Sequence, residues 1–444
     1  MLYRKDIVAW AVTGVFACCG FAAAQGTVST QLQTPALSLE PQVVTAQDSG
    51  APSTLLMLGL DKVGVAKPLQ TYGINIYGWI EGGYDANLRN NAGSKQGFIT
   101  RPVGYTQELG NHFALNQLAL RIEKLVDPKK WDVGGLVEAN FGTDTYATTP
   151  ARDNKGGNTS GWEFQTPGDN PGEVPHFDFT QAYVDVNVPV GNGVKIRAGR
   201  MYTVTGYESF DPRGNPFYSH SYLYDNEPVE NTGVLGFYQL NDQWSFAGGI
   251  SRGINQNTED DNGAIDGLGQ VTYTLSKQWQ FVANVEVGPQ NSADNSHYDF
   301  IFNPIVVFQA TDKLKFAAEG LYDYDGGFNG FPPVTHAYGD NYGIALYGQY
   351  ALCQYATANL RAEWIHTYAG VPYPLDAAGI ASSNAYEITA GFTIHPLPKD
   401  PIGKNLVIRP ELRYDVSEDH DYATGANHAY KDMWSVGADV IFTF

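Results

Sequence analysis

The sequence predicts an all-β fold: a closed, antiparallel, up-and-down transmembrane β-barrel of sixteen strands, with fourteen to eighteen inside the counting error. Three observations carry this expectation. Apolar and polar residues alternate with a period of two through segments of about 9–13 residues, longer than sandwich strands and matched to a tilted membrane crossing. The connections between those segments alternate between long and short, as they do when one end of a barrel carries turns and the other carries loops. Aromatic residues gather beside the short turns, where a membrane interface would place a girdle.

The N-terminus reads as export machinery. Arg4 and Lys5 precede the uncharged run Ile7 to Ala24, which ends in the small-residue stretch Phe21-Ala22-Ala23-Ala24-Gln25. Residues 1–24 therefore read as a cleaved secretory signal peptide. The run also sits at the lower edge of spanning length, so an uncleaved anchor is the alternative. A lipid-attached Cys18 fits poorly behind Phe16-Ala17. Cleavage removes Arg4, Lys5 and Asp6, taking the formal charge from -20 to -21, and it leaves Cys353 as the sole cysteine. No internal disulfide is then expected. Residues 25–70 do not alternate and are rich in Ser, Thr, Gln and Pro. They read as a periplasmic N-terminal linker with a short helix at the apolar patch Leu55 to Leu60.

The barrel is expected over 71–444. Its strands fall near 72–88, 112–125, 131–143, 176–190, 193–203, 232–240, 243–253, 266–275, 278–288, 298–310, 313–325, 340–351, 356–368, 383–395, 404–416 and 432–444. The last is the clearest: Trp434, Val436, Ala438, Val440, Phe442 and Phe444 share one parity, and Ser435, Gly437, Asp439 and Thr443 the other. Pro410 lacks a ladder N–H and predicts a bulge or local distortion. Short connections include Asn241-Asp242, Ser276-Lys277 and Thr311-Asp312; long ones include 89–111, 144–175 and 204–231. An even strand number puts both termini on the turn side. Tyr238, Trp244, Tyr273, Trp279, Tyr350, Tyr355 and Trp131 flank the turns as the expected girdle. A soluble sandwich also alternates, but in lipid an open sheet edge leaves backbone groups unsatisfied, so the sheet must close.

Composition excludes other classes. With 27 basic against 47 acidic residues, the chain lacks the surface that captures nucleic acid, and 13% aromatics exclude disorder. A mean hydropathy of -0.28 looks soluble, yet half of each strand would face water inside a channel.

Several stretches resemble the OmpL-like β-barrel porins of bacteria. They are YGINIYGWIEGGY at Tyr72 to Tyr84, Gly199-Arg200-Met201-Tyr202 with Gly206-Tyr207-Glu208, Tyr218-Ser219-His220-Ser221-Tyr222, Asn231-Thr232-Gly233-Val234, and the terminal Phe444. The likeness spans residues 70–444. It implies a bacterial outer-membrane location, outer-membrane lipid and small hydrophilic solutes as partners, and assembly as a homotrimer. It also implies Phe444 as the signal read by the barrel-assembly machinery, with no cofactor and no catalytic residues. A third outer loop folded into the pore is the porin pattern. Here the third long connection, 204–231, supplies Glu208, Asp211, Arg213, Glu227 and Glu230 as constriction-loop candidates, without the Pro-Glu-Phe-Gly sequence of the enteric porins.

Sixteen strands enclose more space than their own side chains fill, so passive diffusion of small hydrophilic solutes through a water-filled channel is the expected function. By parity the pore lining receives Lys195 and Arg197, Glu286, then Lys315, Glu319 and Asp323. Arg361 and Glu363 follow, with Arg409, Glu411, Arg413 and Asp415. A charge on lipid would cost about 2–4 kcal/mol at mid-membrane, which sets the register. Arg361, Arg409 and Arg413 facing the acids of loop 204–231 would impose a transverse field on solutes; the alternative is cation preference from the general acidic excess. A substrate-selective channel for sugars or oligomers is a second reading, with Tyr183 and Tyr347 assigned inward. A hydrolase is a third, resting on Ser219-His220, whose adjacency cannot by itself arrange a nucleophile and base. No metal is expected: Glu259 to Gly263 and Glu418 to Asp421 lack EF-hand spacing, and the 9 histidines lack paired-ligand spacing.

Overall fold

The computed structural model describes residues 54–88, 97–98, 109–110, 112–148, 176–256, 262–290, 295–328, 337–368, 382–418, 422–423 and 429–444. Sixteen strands close into one barrel. They are β1 (Ile74–Asn87), β2 (His112–Lys124), β3 (Asp132–Gly142), β4 (His176–Val188), β5 (Val194–Tyr202), β6 (Glu230–Gln239), β7 (Trp244–Ser251) and β8 (Asp266–Thr274). Then follow β9 (Trp279–Gly288), β10 (Asp299–Thr311), β11 (Leu314–Phe328), β12 (Ala337–Cys353), β13 (Ala356–Tyr368), β14 (Ser382–Ile394), β15 (Leu406–Ser417) and β16 (Asp432–Thr443). Each strand pairs antiparallel with its neighbours in sequence, and β1 closes the ring by pairing β2 on one side and β16 on the other. The strand count, order and boundaries match the periodicity within a few residues.

The same alternation fixes which face meets lipid. Phe316 is 44% exposed and Leu360 48%, whereas their neighbours Lys315 and Arg361 are 1% and 0% exposed. A one-residue slip would put both charges on hydrocarbon, so the register is strongly specified. On the outer surface Trp244 stacks on Tyr273 at 4.4 Å and Trp279 on Phe308 at 4.1 Å, beside the short turns. These are the aromatic contacts of the expected girdle.

Pro410 brings the local distortion of the expectation and no bulge. It pairs with Ala438 of β16 in unbroken register, while the ladder to β14 is interrupted opposite Arg409 and Pro410, between the pairs Gly391–Glu411 and Ile394–Ile408, which share one register. The strand tolerates the missing N–H without a bulge. Register shifts occur elsewhere, at Glu81/Gly82, Glu138/Asn140, Gln309/Thr311, Asp325/Phe328 and Ala351/Cys353.

Among the described residues two helices lie ahead of the barrel, α1 (Leu55–Lys62) and α2 (Ala66–Thr71). Thr54 caps α1 by accepting from Met57 N at 3.2 Å, and its hydroxyl donates to Ile76 O at 2.9 Å. One side chain thus satisfies a free helix N–H and ties the helix to β1. Met57 and Ala66 are buried.

Candidate functional site

The connection between β5 and β6, residues 203–229, runs inside the barrel. Near its start is Gly206, whose φ of +97° is left-handed and whose missing side chain leaves room for the Glu227 carboxylate. A turn of 3-10 helix at Pro212–Gly214 follows, capped by Asp211, and then the short helix α3 (Tyr222–Asp225), capped by Ser221. Tyr218 lies against β1, where any side chain at Gly83 would collide with its ring.

One wall holds the loop with arginines. Arg361 on β13 donates to Glu208 at 2.7 Å, to Ser219 O at 2.8 Å and to Glu387 at 3.1 Å. Arg409 on β15 donates to Pro212 O and Asn215 O, both at 2.8 Å, while pairing with Glu81 at 3.0 Å and Asp439 at 2.5 Å. Arg413 donates to His220 O at 2.6 Å and to Asp415 at 2.8 Å. Wall carboxylates take the loop's N–H groups: Glu411 accepts from Tyr218 N at 2.9 Å and Glu363 from Tyr222 N at 2.8 Å. Tyr222 adds its hydroxyl to Asp415 at 2.6 Å.

The wall from β8 to β11 uses amides and acids. Asn303 on β10 accepts from Gly206 N at 3.1 Å and donates to Glu227 at 2.7 Å and Glu319 at 3.1 Å. Glu319 accepts from Tyr207 N at 2.6 Å, and Gln270 on β8 donates to Val204 O at 2.7 Å. Behind these bonds an apolar cluster gathers Tyr207, Tyr222 and Leu223 of the loop with Ile301, Ile305, Leu321 and Tyr347 of the wall.

Three groups in the loop titrate unusually. Burial would raise the Glu208 carboxyl, but Arg361 and His220 beside it hold it down to about 2. Asp211 is likewise lowered against burial, by Arg213 and Arg121. Glu227 is pushed well above its ordinary value by burial and then by Glu319.

The parity-assigned residues mostly meet in this interior. Glu319, Arg361, Glu363, Arg409, Glu411, Arg413 and Asp415 all touch the loop or its partners. Arg197 instead pairs with Asp185 at 2.9 Å and lies 3.6 Å over Tyr183. Lys195 lies 4.7 Å over Phe237. Glu286 accepts from Asn231 at 2.8 Å, and Asp323 from Asn341 at 3.3 Å. Lys315 is buried. Of the loop candidates, Asp211 pairs with Arg213 at 2.6 Å and Arg121 at 3.1 Å. Glu230 is not a loop residue: it opens β6 and pairs with Arg200 at 2.5 Å. Phe444 closes β16 on β1, exchanging backbone bonds with Gly78 at 2.8 and 3.0 Å.

The arginine expectation needs correcting. Arg361 meets a loop carboxylate, but Arg409 and Arg413 meet loop carbonyls and wall acids. They clamp the loop to the wall; they do not stand opposite its acids across a gap. Tyr183 and Tyr347 do point inward, but both are buried, and Tyr347 OH is spent on Glu208 at 3.2 Å. Ser219 Oγ accepts from Arg361 at 3.2 Å while His220 Nδ1 meets Glu208 at 3.0 Å, so each is engaged elsewhere. Among the described residues, no group of three or more His, Cys, Asp or Glu is placed to hold a metal ion. The acidic run at Glu259 to Asp261, and Asp419 to Asp421, lie outside the described residues.

Some interior residues escaped prediction. Glu81, Glu387 and Asp439 lie on the inward parity and were within reach of the same rule. Arg200 was not: parity breaks at Gly199, whose φ of +138° lets both Arg197 and Arg200 turn inward. Asn303 and Gln270 carry no charge and gave no signal.

A family model described as "Putative beta-barrel porin-2, OmpL-like" matches residues 73–444. No curated protein sequence matches the chain. Among solved structures, the anion-selective porin from Comamonas acidovorans is 13% identical, with a TM-score of 0.52 over 84% of this chain and 99% of that one. OprB of Pseudomonas putida at high pH is 11% identical, with a TM-score of 0.52 over 86% and 97%. OmpF of Salmonella typhi in complex with daunomycin is 14% identical, with a TM-score of 0.50 over 84% and 99%. At these identities the likeness is one of fold.

Proposed function

The chain belongs to the OmpL-like β-barrel porin-2 family, an outer-membrane family, and from that premise we propose that it conducts small hydrophilic solutes by passive diffusion through its barrel. The carrying observation is the interior itself. A sixteen-stranded ring encloses more space than its own side chains fill, and loop 203–229 is bonded across that space to walls rich in charge. Such a lining suits hydrated solutes and excludes apolar ones. No covalent chemistry is part of this reading, since Ser219 and His220 are engaged with Arg361 and Glu208.

Purified protein in planar bilayers should show stepwise, ohmic conductance. A barrel that inserts and stays silent would overturn the proposal. Assembly as a homotrimer and reading of Phe444 by the barrel-assembly machinery belong to the same proposal; crosslinking in native membranes and deletion of Phe444 test them.

A further inference from the structure

The turn side of the barrel carries a surface that conduction does not use. Strand order sets β14, β15, β16, β1, β2 and β3 side by side. Three connections are therefore neighbours there: turn 395–405 before β15, helices α1 and α2 before β1, and turn 125–131 before β3. An unfinished ladder fixes the helices between the two turns. β16 ends at Phe444, which exchanges both backbone bonds with Gly78, while β1 starts at Ile74. Ile76, two residues from Gly78, aims its carbonyl the same way, past the end of β16. Thr54, ahead of α1, fills that place by donating to the carbonyl at 2.9 Å.

Two kinds of side chain crowd this sector. One is lysine. Lys62 and Lys67 on the helices, Lys129 and Lys130 before β3, and Lys399 and Lys404 before β15 are all exposed. In a chain with 27 basic against 47 acidic residues, the sector reverses the balance among its side chains. Among the described residues Lys431 is the lysine of the loop side, and every other lies toward the turns. Nearby acids are engaged locally. Asp400 accepts from Ile402 N at 2.9 Å and Gly403 N at 2.6 Å, Asp132 holds Lys124 at 2.8 Å, and Asp127 accepts from Lys129 N at 2.9 Å. The other kind is apolar. Val63 is 72% exposed, Tyr72 70% and Trp131 68%, and Val65, Leu397 and Ile402 are exposed as well. Trp131 continues the outward parity of β3, where Val133 and Val137 are also exposed, so the patch is continuous with the lipid-facing surface.

An aqueous polyanion would account for the lysines and leave Trp131, Leu397 and Ile402 bare. A phospholipid accounts for both. Its glycerol and upper acyl chains cover the apolar groups, and its phosphate meets an ammonium carried on a long apolar stem. Lysines are attracted to an anionic lipid surface, and neutral headgroups offer no such gain. The short turns of an outer-membrane barrel face the periplasm. We propose that turns 125–131 and 395–405, with the helices between them, form a docking surface for anionic phospholipid of the periplasmic leaflet.

Tryptophan quenching in vesicles tests it. The protein is placed in phosphatidylcholine vesicles holding a small fraction of brominated phosphatidylglycerol or brominated phosphatidylcholine. The difference between wild type and Trp131→Phe isolates quenching at turn 125–131; Ile402→Trp added to Trp131→Phe reports turn 395–405. At both reporters the brominated phosphatidylglycerol should act as if bound at least about threefold more tightly, and salt should weaken the preference. Lys129→Gln/Lys130→Gln should bring the first reporter to parity, and Lys399→Gln/Lys404→Gln the second. Lys431→Gln, on the loop side, should change neither. These side chains are exposed, and heat-modifiable gel migration reports folding. Equal quenching by the two lipids at either reporter, or a preference that survives loss of the adjacent lysines, overturns the proposal. Absence of quenching by either lipid would put the turns outside the membrane and overturn it too. Lysine-dependent cosedimentation with isolated peptidoglycan, in place of a lipid preference, would assign the surface to an aqueous polyanion and likewise overturn it.

Discussion

Loop 203–229 is held by two walls built on different principles. On β13 and β15, buried arginines bind loop carbonyls and carboxylates; on β8–β11 the loop meets Gln270, Asn303 and Glu319. Lys315 is the one Lys or Arg in strands β8 to β11. The consequence appears in the loop's own acids. Glu208, against the arginines, is held down to about 2; Glu227, buried beside Glu319, is pushed well above its ordinary value. Similar buried carboxyls on one loop are thus shifted in opposite directions, because one wall supplies guanidinium to offset burial and the other supplies a further acid. Charge clamps are strong but fail badly when one member is removed. Amide clamps are weaker and fail gently.

The largest expected effect tests that asymmetry directly. Arg361→Met strands Glu208 and Glu387 in the interior, and breaking such a buried pair costs about 3–5 kcal/mol. The barrel itself should survive, since its ladders are untouched. The loop should lose hydrogen-exchange protection around Ser219 to Leu223, and single-channel conductance should rise as the interior opens. Retained protection with unchanged conductance would show that the arginine wall is not what holds the loop.

The next effect separates the walls by pH. The Glu208 value is lowered to about 2 from an ordinary 4.5, so its contribution is fully present above 4.5 and is lost as pH falls toward 2. That amounts to roughly 3 kcal/mol across the window. Glu227 is shifted the other way. Its contribution is present below 4.5 and is lost as pH rises through its elevated value, where the new charge would face Glu319, Glu208 and Glu363. Acid should therefore release the arginine side first and base the amide side first. Exchange rates at Ser219–Tyr222 and at Gly206–Tyr207, followed against pH, give the readout. Glu227→Gln, which cannot ionise, should abolish the alkaline limb alone; an alkaline limb that persists in that variant would assign it to another group.

How far the sequence reveals this arrangement follows from what each signal measures. Parity reports which side of a strand a residue faces, so it located Arg361, Arg409, Arg413 and Glu319 and the strands that carry them. It says nothing about partners across the barrel, because those depend on how the loop folds back. Hence Arg409 was expected opposite loop acids and instead binds Pro212 O and Asn215 O. Backbone carbonyls belong to every residue and leave no mark in composition. Asn303 was illegible for a related reason: an inward amide resembles any solvated polar residue until its partners are known. Pro410 was legible only in part: its missing N–H interrupts the ladder to β14 without a bulge, and residue type does not say which of the two follows.

The smallest expected effect concerns a side chain that touches both regimes. Tyr347 OH lies 3.2 Å from Glu208 and 3.5 Å from Glu319, with its ring 4.5 Å from that of Tyr207. Glu208 keeps Arg361 and His220 without it, and Glu319 keeps Asn303 and Tyr207 N. Tyr347→Phe preserves the ring contact and removes one bond, so the cost should be about 0.5–1.5 kcal/mol. Its value lies in coupling. If the walls act independently, the acid and alkaline limbs should keep their positions and only their amplitudes fall slightly. If the hydroxyl relays charge between Glu208 and Glu319, removing it should move both limbs together. A joint displacement would mean that the two walls form one network, and the contrast between them would then be one of composition rather than of mechanism.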